Sequence, residues 1–203
     1  MDLYITLNSP YARLVRIMLI EKGLQSECKI KIATTRKLGS PFYNINPSGR
    51  VPYLVTNEGV GIEGSRLICT FLDHLDENPI FSLKYNSNNL ELLRFEEQAR
   101  ATVESASVWI RELFRPEEWR SPTVIDHEKN RLKRLVDAWE TQILSPIMNG
   151  DFNMAQMTLI CALQLEIWNP EFVWRPSHPK LINWLQKIIE RESVAKTMPP
   201  GET

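Results

Sequence analysis

Ser9 stands where a predicted strand passes into a predicted helix. A short run of alternating apolar residues precedes it, and a strongly apolar segment follows Tyr11. Pro10 comes directly after Ser9, and a serine followed by a proline is typical of a helix start. Such a start exposes unpaired backbone N–H groups and a partial positive charge. We therefore expect an anion or a thiolate to be held beside Ser9.

The tetrapeptide Ser9–Ala12 has the spacing of the disulfide-reductase motif Cys-Pro-Tyr-Cys, but serine and alanine occupy both cysteine positions. A hydroxyl therefore stands where the attacking sulfur of that motif would be. If the site performs thiol chemistry, the thiol must come from a cofactor.

The composition of the 203 residues is that of an ordinary globular protein, with 43% apolar and 24% charged residues. A formal net charge of −1 argues against a general attraction to nucleic acid or to anionic membranes. No apolar run reaches the roughly 18 residues of a membrane span, and the N-terminus lacks the pattern of a signal peptide. We expect one large domain or two small ones, in the cytoplasm.

Cysteines and histidines are scattered along the chain. Cys28, Cys69 and Cys161 form no Cys-x-x-Cys pair, and their odd number argues against a disulfide framework. We expect each to be a small buried apolar residue. None of the three histidines has a second ligand type at metal spacing, so the sequence predicts no metal site.

The N-terminal segment has the pattern of a parallel βαβ unit. Alternation of apolar residues predicts strands over 2–7 and 27–33. The apolar segment between them predicts a helix over 11–22, which Gly23 terminates. A helix that is apolar on most sides is expected to be buried against the sheet.

A β-hairpin and a second helix are predicted next. Pro52 opens a third strand, a position that suits a residue without an N–H donor. Asn57-Glu58-Gly59 predicts a tight turn into a fourth strand over 60–62. Ser65 is expected to cap a helix that runs to about Glu77.

The rest of the chain has only helical patterns. Residues 80–89 are expected to form a linker. Beyond it, apolar residues spaced by threes and fours predict four long helices, which begin near Leu92, at Ser121-Pro122, at the capping-box residues Asn153 and Gln156, and near Leu181.

The order and spacing of these motifs resemble the glutathione S-transferase family, in particular its bacterial members with a site serine. The segments that carry the resemblance are Ser9–Arg13, Asn46–Pro52, Ser65–Ile68, Asn153–Gln156, Arg191–Ser193, Thr197 and Pro199–Pro200. The resemblance implies an α/β plus all-α fold: a thioredoxin-like glutathione-binding domain over 1–78 and an all-helical C-terminal domain over 88–203. It also implies a cytoplasmic homodimer that acts in detoxification.

The resemblance further implies a site for glutathione as co-substrate. Ser9 would donate a hydrogen bond to the glutathione sulfur and favour the thiolate as a nucleophile. The backbone of Val51, next to a cis bond to Pro52, would pair with the cysteinyl part. Ser65 would bind the γ-glutamyl carboxylate at a helix start.

Each of these residues also has a simpler interpretation. Ser9 and Ser65 could be ordinary helix caps, and Pro52 could merely open a strand. Tyr11 could line the pocket of the second substrate or only pack. Lys37 and Arg50 could contact the glycyl carboxylate of glutathione or be ordinary surface charges.

One position departs from the family pattern. The family usually has an acidic residue immediately before the position of Ser65, where this chain has Gly64. Glu63 stands one residue earlier. In the family this acid helps to hold the glutathione amino group, so either Glu63 or a residue of a partner subunit must replace it, or binding is weaker.

Three functions follow from the sequence. The first is a glutathione transferase in which the thiolate attacks a small electrophile or a mixed disulfide. The second is a non-catalytic binding or regulatory protein of the same fold, which Gly64 favours. The third is a glutathione-dependent disulfide reductase, which the Cys-Pro-Tyr-Cys spacing favours, although the chain has no dithiol there.

Overall fold

A computed structural model describes residues 1–81 and 89–200 of the chain. The chain forms two compact units. The first contains Met1–Leu83 and, from the far end of the chain, Lys196–Pro200, while Lys84–Ala195 make up most of the second. Most of the expected linker over 80–89 lies outside the described residues.

A mixed sheet of four strands, in the order β2-β1-β3-β4, forms the centre of the first unit. Its strands are Asp2–Ile5 (β1), Lys29–Ile32 (β2), Tyr53–Val55 (β3) and Gly61–Glu63 (β4). β1 and β2 are parallel, and β3 is antiparallel to both β1 and β4. All four overlap the predicted strands, but β1 and β2 are shorter than the alternating runs.

Helix α1 (Pro10–Glu21) connects β1 to β2, so the predicted parallel βαβ unit is confirmed. It ends where Gly23 takes a φ of +66° and the Leu24 N–H donates to the Leu19 carbonyl at 2.8 Å. A glycine in the left-handed region together with this bond closes the last helical turn. Most apolar residues of α1 are buried, as its pattern predicts.

Helix α2 (Ser65–Asp73) begins differently from the sequence prediction. Gly64 occupies the capping position and Ser65 is the first helical residue, so the expectation that Ser65 caps this helix is wrong. The reason is the backbone of Gly64, whose φ of +91° is readily adopted only by glycine. This conformation turns the chain into the helix one residue earlier and draws Ser65 into the first turn.

The same helix also ends four residues before the predicted Glu77. The Asp73 carboxylate accepts the N–H groups of Ile80 at 3.1 Å and Phe81 at 2.9 Å. These bonds fold the following chain back onto the end of α2. Periodicity could not reveal them because they join a helical side chain to a backbone several residues beyond the helix.

The two faces of the sheet differ in chemistry. Leu3, Ile5 and Leu54 are fully buried on one face. On the other, the ring of Phe42 lies 5.6 Å from that of Tyr4 and 6.5 Å from that of Tyr53. Phe42 belongs to the short 3₁₀ helix Pro41–Asn44, which therefore packs over the start of β3.

The second unit is helical throughout its described part. Its helices are Leu90–Leu113 (α3), Pro122–Gln142 (α4), Pro146–Asn149 (α5), Met154–Leu163 (α6), Pro179–Ile188 (α7) and Glu192–Ala195 (α8). Helix α3 packs against α4 and α6. No strand occurs between residues 89 and 200, in agreement with the sequence.

Side chains cap two of these helices as the sequence predicts. The Ser121 hydroxyl accepts the N–H of Val124 at the start of α4. At the start of α6, Asn153 Oδ1 accepts the Gln156 N–H at 3.1 Å, and Gln156 Oε1 accepts the Asn153 N–H at 3.0 Å. This reciprocal pair is the predicted capping box.

Three general properties concern the described residues as a whole. All three cysteines are buried and none forms a disulfide bond, as expected for small apolar residues. None of the helices within 1–81 and 89–200 combines the length and apolar character needed to cross a bilayer. Over the same ranges, no cluster of three or more metal-ligating side chains occurs.

Candidate functional site

Three loop ends meet at one edge of the sheet in the first unit. Ser9 follows β1, Val51-Pro52 precedes β3, and Ser65 follows β4. Because β3 is antiparallel to both of its neighbours, the end of β1, the start of β3 and the end of β4 lie at the same edge. The sheet therefore brings together residues as far apart in sequence as Ser9 and Ser65.

The strand register determines which residues lie side by side at this edge. Tyr4 pairs with Tyr53, and Tyr53 pairs with Glu63. Val51 lies two residues before Tyr53 and Ser65 two residues after Glu63, so both lie beyond this pair at the same edge. The Ser9 N–H donates to the Thr6 carbonyl at 3.2 Å, which folds Ser9 back toward the end of β1.

Ser9 caps α1 and still has a hydrogen to donate. Its backbone is extended, with φ −80° and ψ 118°, and its hydroxyl oxygen accepts the Ala12 N–H at 3.2 Å. A serine hydroxyl can accept one hydrogen bond while donating its own hydrogen to another acceptor. The capping role and the donor role that the sequence left as alternatives are therefore compatible.

The first turn of α1 keeps its partial positive charge. It contains no acidic residue that would neutralise the helix dipole. Tyr11, which lies in this turn, is half-buried. A half-buried helix start with a hydroxyl at its cap is a suitable environment for a thiolate.

The first turn of α2 offers a second place for a negative charge. No side chain among the described residues caps this helix, and its first turn contains no acidic residue. Ser65 lies in that turn and is only 6% exposed. Its hydroxyl and the neighbouring backbone N–H groups suit a carboxylate.

The loop before Val51 is fixed by Asn46. Its amide nitrogen donates to the Arg50 carbonyl at 2.9 Å, and its amide oxygen accepts the Ser48 N–H at 3.1 Å. Gly49 takes a φ of +66°, and a Cβ at this position would lie 2.6 Å from the Tyr43 ring. The loop therefore requires glycine both for its backbone conformation and for its close packing.

The Val51–Pro52 peptide bond is cis, as the family resemblance implies. Pro52 is buried and Val51 is half-buried.

Glu63, the acidic residue next to Gly64, already has a hydrogen-bond partner. The Glu63 carboxylate accepts the Ser48 hydroxyl at 2.7 Å, so it links the end of β4 to the loop fixed by Asn46. A side chain at Gly64 would meet open space, but the φ of +91° is strained for any other residue.

Lys37 and Arg50 remain peripheral. Both side chains are exposed. The backbone of Arg50 takes part in the loop through its carbonyl and through its N–H, which donates to the Ser48 hydroxyl at 3.2 Å. The structure leaves both interpretations of these cations open.

Sequence reasoning missed the organising roles of Asn46 and Ser48. It identified their segment only as a turn. The signal was present, because an asparagine before a proline often bonds the backbone two residues on. The bond between Ser48 and Glu63 had no signal in the sequence, because it joins a loop to the end of a later strand.

The comparisons with known proteins point to one family. Residues 3–79 match the family model described as "Glutathione S-transferase, N-terminal domain". An uncharacterized GST-like protein of Escherichia coli K12, YibF, is 26% identical over 195 residues, which cover 95% of this chain and 96% of that protein. The matched segment 3–79 contains every candidate site residue.

Solved structures share the whole fold. A glutathione transferase family member from Pseudomonas fluorescens Pf-5, solved with S-(propanoic acid)-glutathione bound, is 26% identical and superposes with a TM-score of 0.86, covering 98% of this chain and 100% of that chain. Gtt2 of Saccharomyces cerevisiae superposes with a TM-score of 0.84 at 22% identity, covering 97% and 100%. The predicted fold, a thioredoxin-like domain followed by an all-helical domain, is confirmed.

Proposed function

We infer that the chain is a member of the glutathione S-transferase family, and we propose that it is a glutathione transferase in which Ser9 activates the glutathione thiol. One observation carries the proposal: Ser9, Val51 and Ser65 meet at a single sheet edge beside two helix starts that lack acidic residues. An extended peptide with a thiol and a carboxylate fits such an edge. The relative from Pseudomonas fluorescens, which binds a glutathione derivative, supports the same ligand.

Each residue has a role in binding glutathione. Ser65 and the first N–H groups of α2 bind the γ-glutamyl carboxylate. The backbone of Val51, followed by Pro52, pairs with the cysteinyl part as an added strand would. Lys37 or Arg50 contacts the glycyl carboxylate.

The chemistry is nucleophilic attack by sulfur. The Ser9 hydroxyl donates its hydrogen bond to the sulfur and keeps its own proton, while the thiol proton passes to solvent. The thiolate then forms a bond to an electrophilic carbon, and the leaving group departs with the electron pair. With a mixed disulfide, the thiolate attacks one sulfur and expels the other as a thiolate. Tyr11 lies next to the sulfur position, where it lines the pocket of the second substrate.

Gly64 weakens the part of this site that would hold the glutathione amino group. The glutathione amino group has no acid at the usual position, and the neighbouring Glu63 is bonded to Ser48 at 2.7 Å. We therefore expect looser glutathione binding than an acid at this position would give. The same observation favours the second candidate, a binding or regulatory protein of this fold without catalysis.

Several further properties stay predictions. These are the domain limits 1–78 and 88–203, the homodimer, the cytoplasmic location, a role in detoxification and the classification as a bacterial serine-type member. A partner subunit would be the remaining source of an acid for the glutathione amino group.

Calorimetric titration with glutathione tests the proposed ligand. The wild-type chain is expected to bind, and Ser65→Ala is expected to weaken binding by about tenfold, which is the order of one charge-assisted hydrogen bond. Ser48→Ala, which removes the hydrogen bond to the Glu63 carboxylate, is the comparison variant. Absence of binding at millimolar glutathione would rule out the transferase, whereas binding without turnover of any electrophile would favour the non-catalytic protein.

A further inference from the structure

Arg13 is a buried cation one turn into α1. Its side chain is part of the interior of the first unit, where the residue is only 2% exposed. Its backbone N–H donates to the Ser9 carbonyl at 2.9 Å, so the two residues belong to the same helical turn. Helical side chains lean toward the N-terminus of their helix. The long Arg13 side chain therefore runs alongside the turn that carries Ser9.

Two partners of this guanidinium come from the far end of the chain. Arg13 Nε donates to Thr197 Oγ1 at 3.4 Å, and Arg13 Nη2 donates to Met198 Sδ at 3.7 Å. Thr197 is 1% exposed, and Pro199 is also buried. The segment Lys196–Pro200 belongs to the first unit even though it follows the last helix of the second.

Burial makes these long bonds significant. A guanidinium removed from water is costly unless its N–H groups find acceptors. Its planar fork also has a fixed geometry, so the position of the acceptors sets the orientation of the side chain. The tail residues therefore help to determine where Arg13 lies, and Arg13 shares its turn with Ser9.

We propose that the C-terminal segment Lys196–Pro200 is a positioning element for the sulfur site. Thr197 and Met198 hold Arg13, and Arg13 holds the first turn of α1 in the place where the Ser9 hydroxyl meets the glutathione sulfur. Because Thr197 and Met198 act through Arg13, we assign both as positioning residues. The inference rests on the proposed function, because it assigns the tail to the same site.

The expected decrease in kcat follows from the dependence of reaction rates on the geometry of the reacting groups. A displacement of about 1 Å at a reacting group can cost on the order of a hundredfold in rate. Loss of one long hydrogen bond to Arg13 shifts the turn by less than that. We expect a decrease in kcat of roughly threefold to tenfold, with little change in the KM for glutathione.

The test compares Thr197→Val with Thr197→Ser. Valine keeps the shape and removes the acceptor oxygen, whereas serine keeps the oxygen. Thr141→Val, at an exposed threonine of α4 in the other unit, is the matched control. Met198→Leu is the alternative variant if Thr197→Val fails to fold. It removes the sulfur acceptor at a half-exposed position. The readouts are kcat, KM and the pH at which half of the bound glutathione is thiolate, measured by its ultraviolet absorbance.

The expected result separates positioning from stability. Thr197→Val and Met198→Leu lower kcat and raise the half-ionisation pH of bound glutathione, while Thr197→Ser and Thr141→Val change neither. A lower melting temperature with unchanged kcat and unchanged half-ionisation pH would overturn the inference and leave the proposed function intact. A wild-type chain that shows no turnover would instead overturn the proposed function, and this inference with it.

Discussion

At the scale of single residues, the site depends on side chains that do two things at once. Ser9 caps α1 through its oxygen and keeps a hydrogen for the substrate sulfur. Asn46 bonds the backbone on both sides of the turn that precedes Val51. Substitution of either residue therefore changes local stability as well as chemistry, and a control for the structural part is needed.

Gly49 gives a prediction at this scale that does not involve activity. We expect Gly49→Ala to lower the free energy of unfolding by about 1–3 kcal/mol, because alanine is strained at positive φ and its Cβ would overlap the Tyr43 ring. Gly59→Ala is the matched control, since Gly59 also has a positive φ but has open space around a Cβ. Urea unfolding of the two variants measures the difference. Equal losses would show that packing against Tyr43 contributes nothing.

The types of the site residues could be predicted from sequence, but their geometry could not. Serines before helices point to Ser9 and Ser65. That Ser65 is the first helical residue rather than the cap depends on the backbone of Gly64, which a single sequence does not reveal. The engagement of Glu63 by Ser48 is likewise a contact between a loop and the end of a later strand.

At the scale of elements, a side chain of helix α4 caps the start of helix α7. The residue before this helix provides no side-chain cap. Instead, the Glu140 carboxylate of α4 accepts the N–H groups of Lys180 at 3.0 Å and Leu181 at 2.9 Å. A carboxylate in this position satisfies free donors and interacts favourably with the helix dipole.

We expect Glu140→Ala to destabilise the helical unit by about 1–2 kcal/mol, the order of a lost helix cap. Glu140→Gln retains an acceptor oxygen without the charge and is expected to cost less. Glu104→Ala, which removes a surface ion pair with Arg131, is the control, with an expected loss of about 1 kcal/mol or less. Urea unfolding followed by far-ultraviolet circular dichroism provides the measurement. A Glu140→Ala loss no larger than that of Glu104→Ala would contradict the capping role.

Strongly periodic helices were predictable, and their ends were less so. The spacing of apolar residues and the Ser-Pro start locate α4, and the capping box locates α6. The end of α2 is set by Asp73, whose bonds to Ile80 and Phe81 lie beyond any periodic pattern. Beyond α6 the chain continues as the 3₁₀ helix Gln164–Trp168, which apolar spacing alone does not distinguish from a longer α-helix.

At the scale of the whole molecule, the order of motifs along the chain was enough to predict the fold. Periodicity and turn chemistry predicted the βαβ unit, the hairpin and the helical second half, whereas the thioredoxin-like architecture came from the family resemblance. The place of Lys196–Pro200 within the first unit was not predicted, because nothing local to the tail indicates its contact with Arg13.

Acid is expected to weaken the folded chain through carboxylates that are bonded to lysines. Hydrogen bonds from Lys31 to Asp2, from Lys22 to Asp76 and from Lys133 to Asp137 lower the pKa of each of these carboxyls. A pKa that is lower in the folded state gives stability that is present above the unfolded pKa of about 3.9 and is lost as the pH falls through the folded value.

We therefore expect Asp76→Asn to lower the melting temperature near pH 7, and the difference from wild type to shrink as the pH falls below about 4. Asp126→Asn, at an exposed position of α4, is the control and is expected to have a smaller effect. Thermal unfolding between pH 3 and pH 7 follows both variants. A difference for Asp76→Asn that stays constant down to pH 3 would contradict the assigned role of the carboxylate.

Ser9→Ala tests the central claim most directly when it is compared with Ser121→Ala. Both serines precede a proline and cap a helix through the same kind of bond, to the Ala12 and Val124 N–H groups. Both substitutions are expected to cost about 1 kcal/mol of stability. Only Ser9→Ala is expected to lower kcat/KM, by roughly tenfold or more, for conjugation of glutathione to an aromatic chloride or for thiol transfer from a mixed disulfide. Equal turnover by the two variants would contradict the assignment of Ser9 as the donor to the glutathione sulfur.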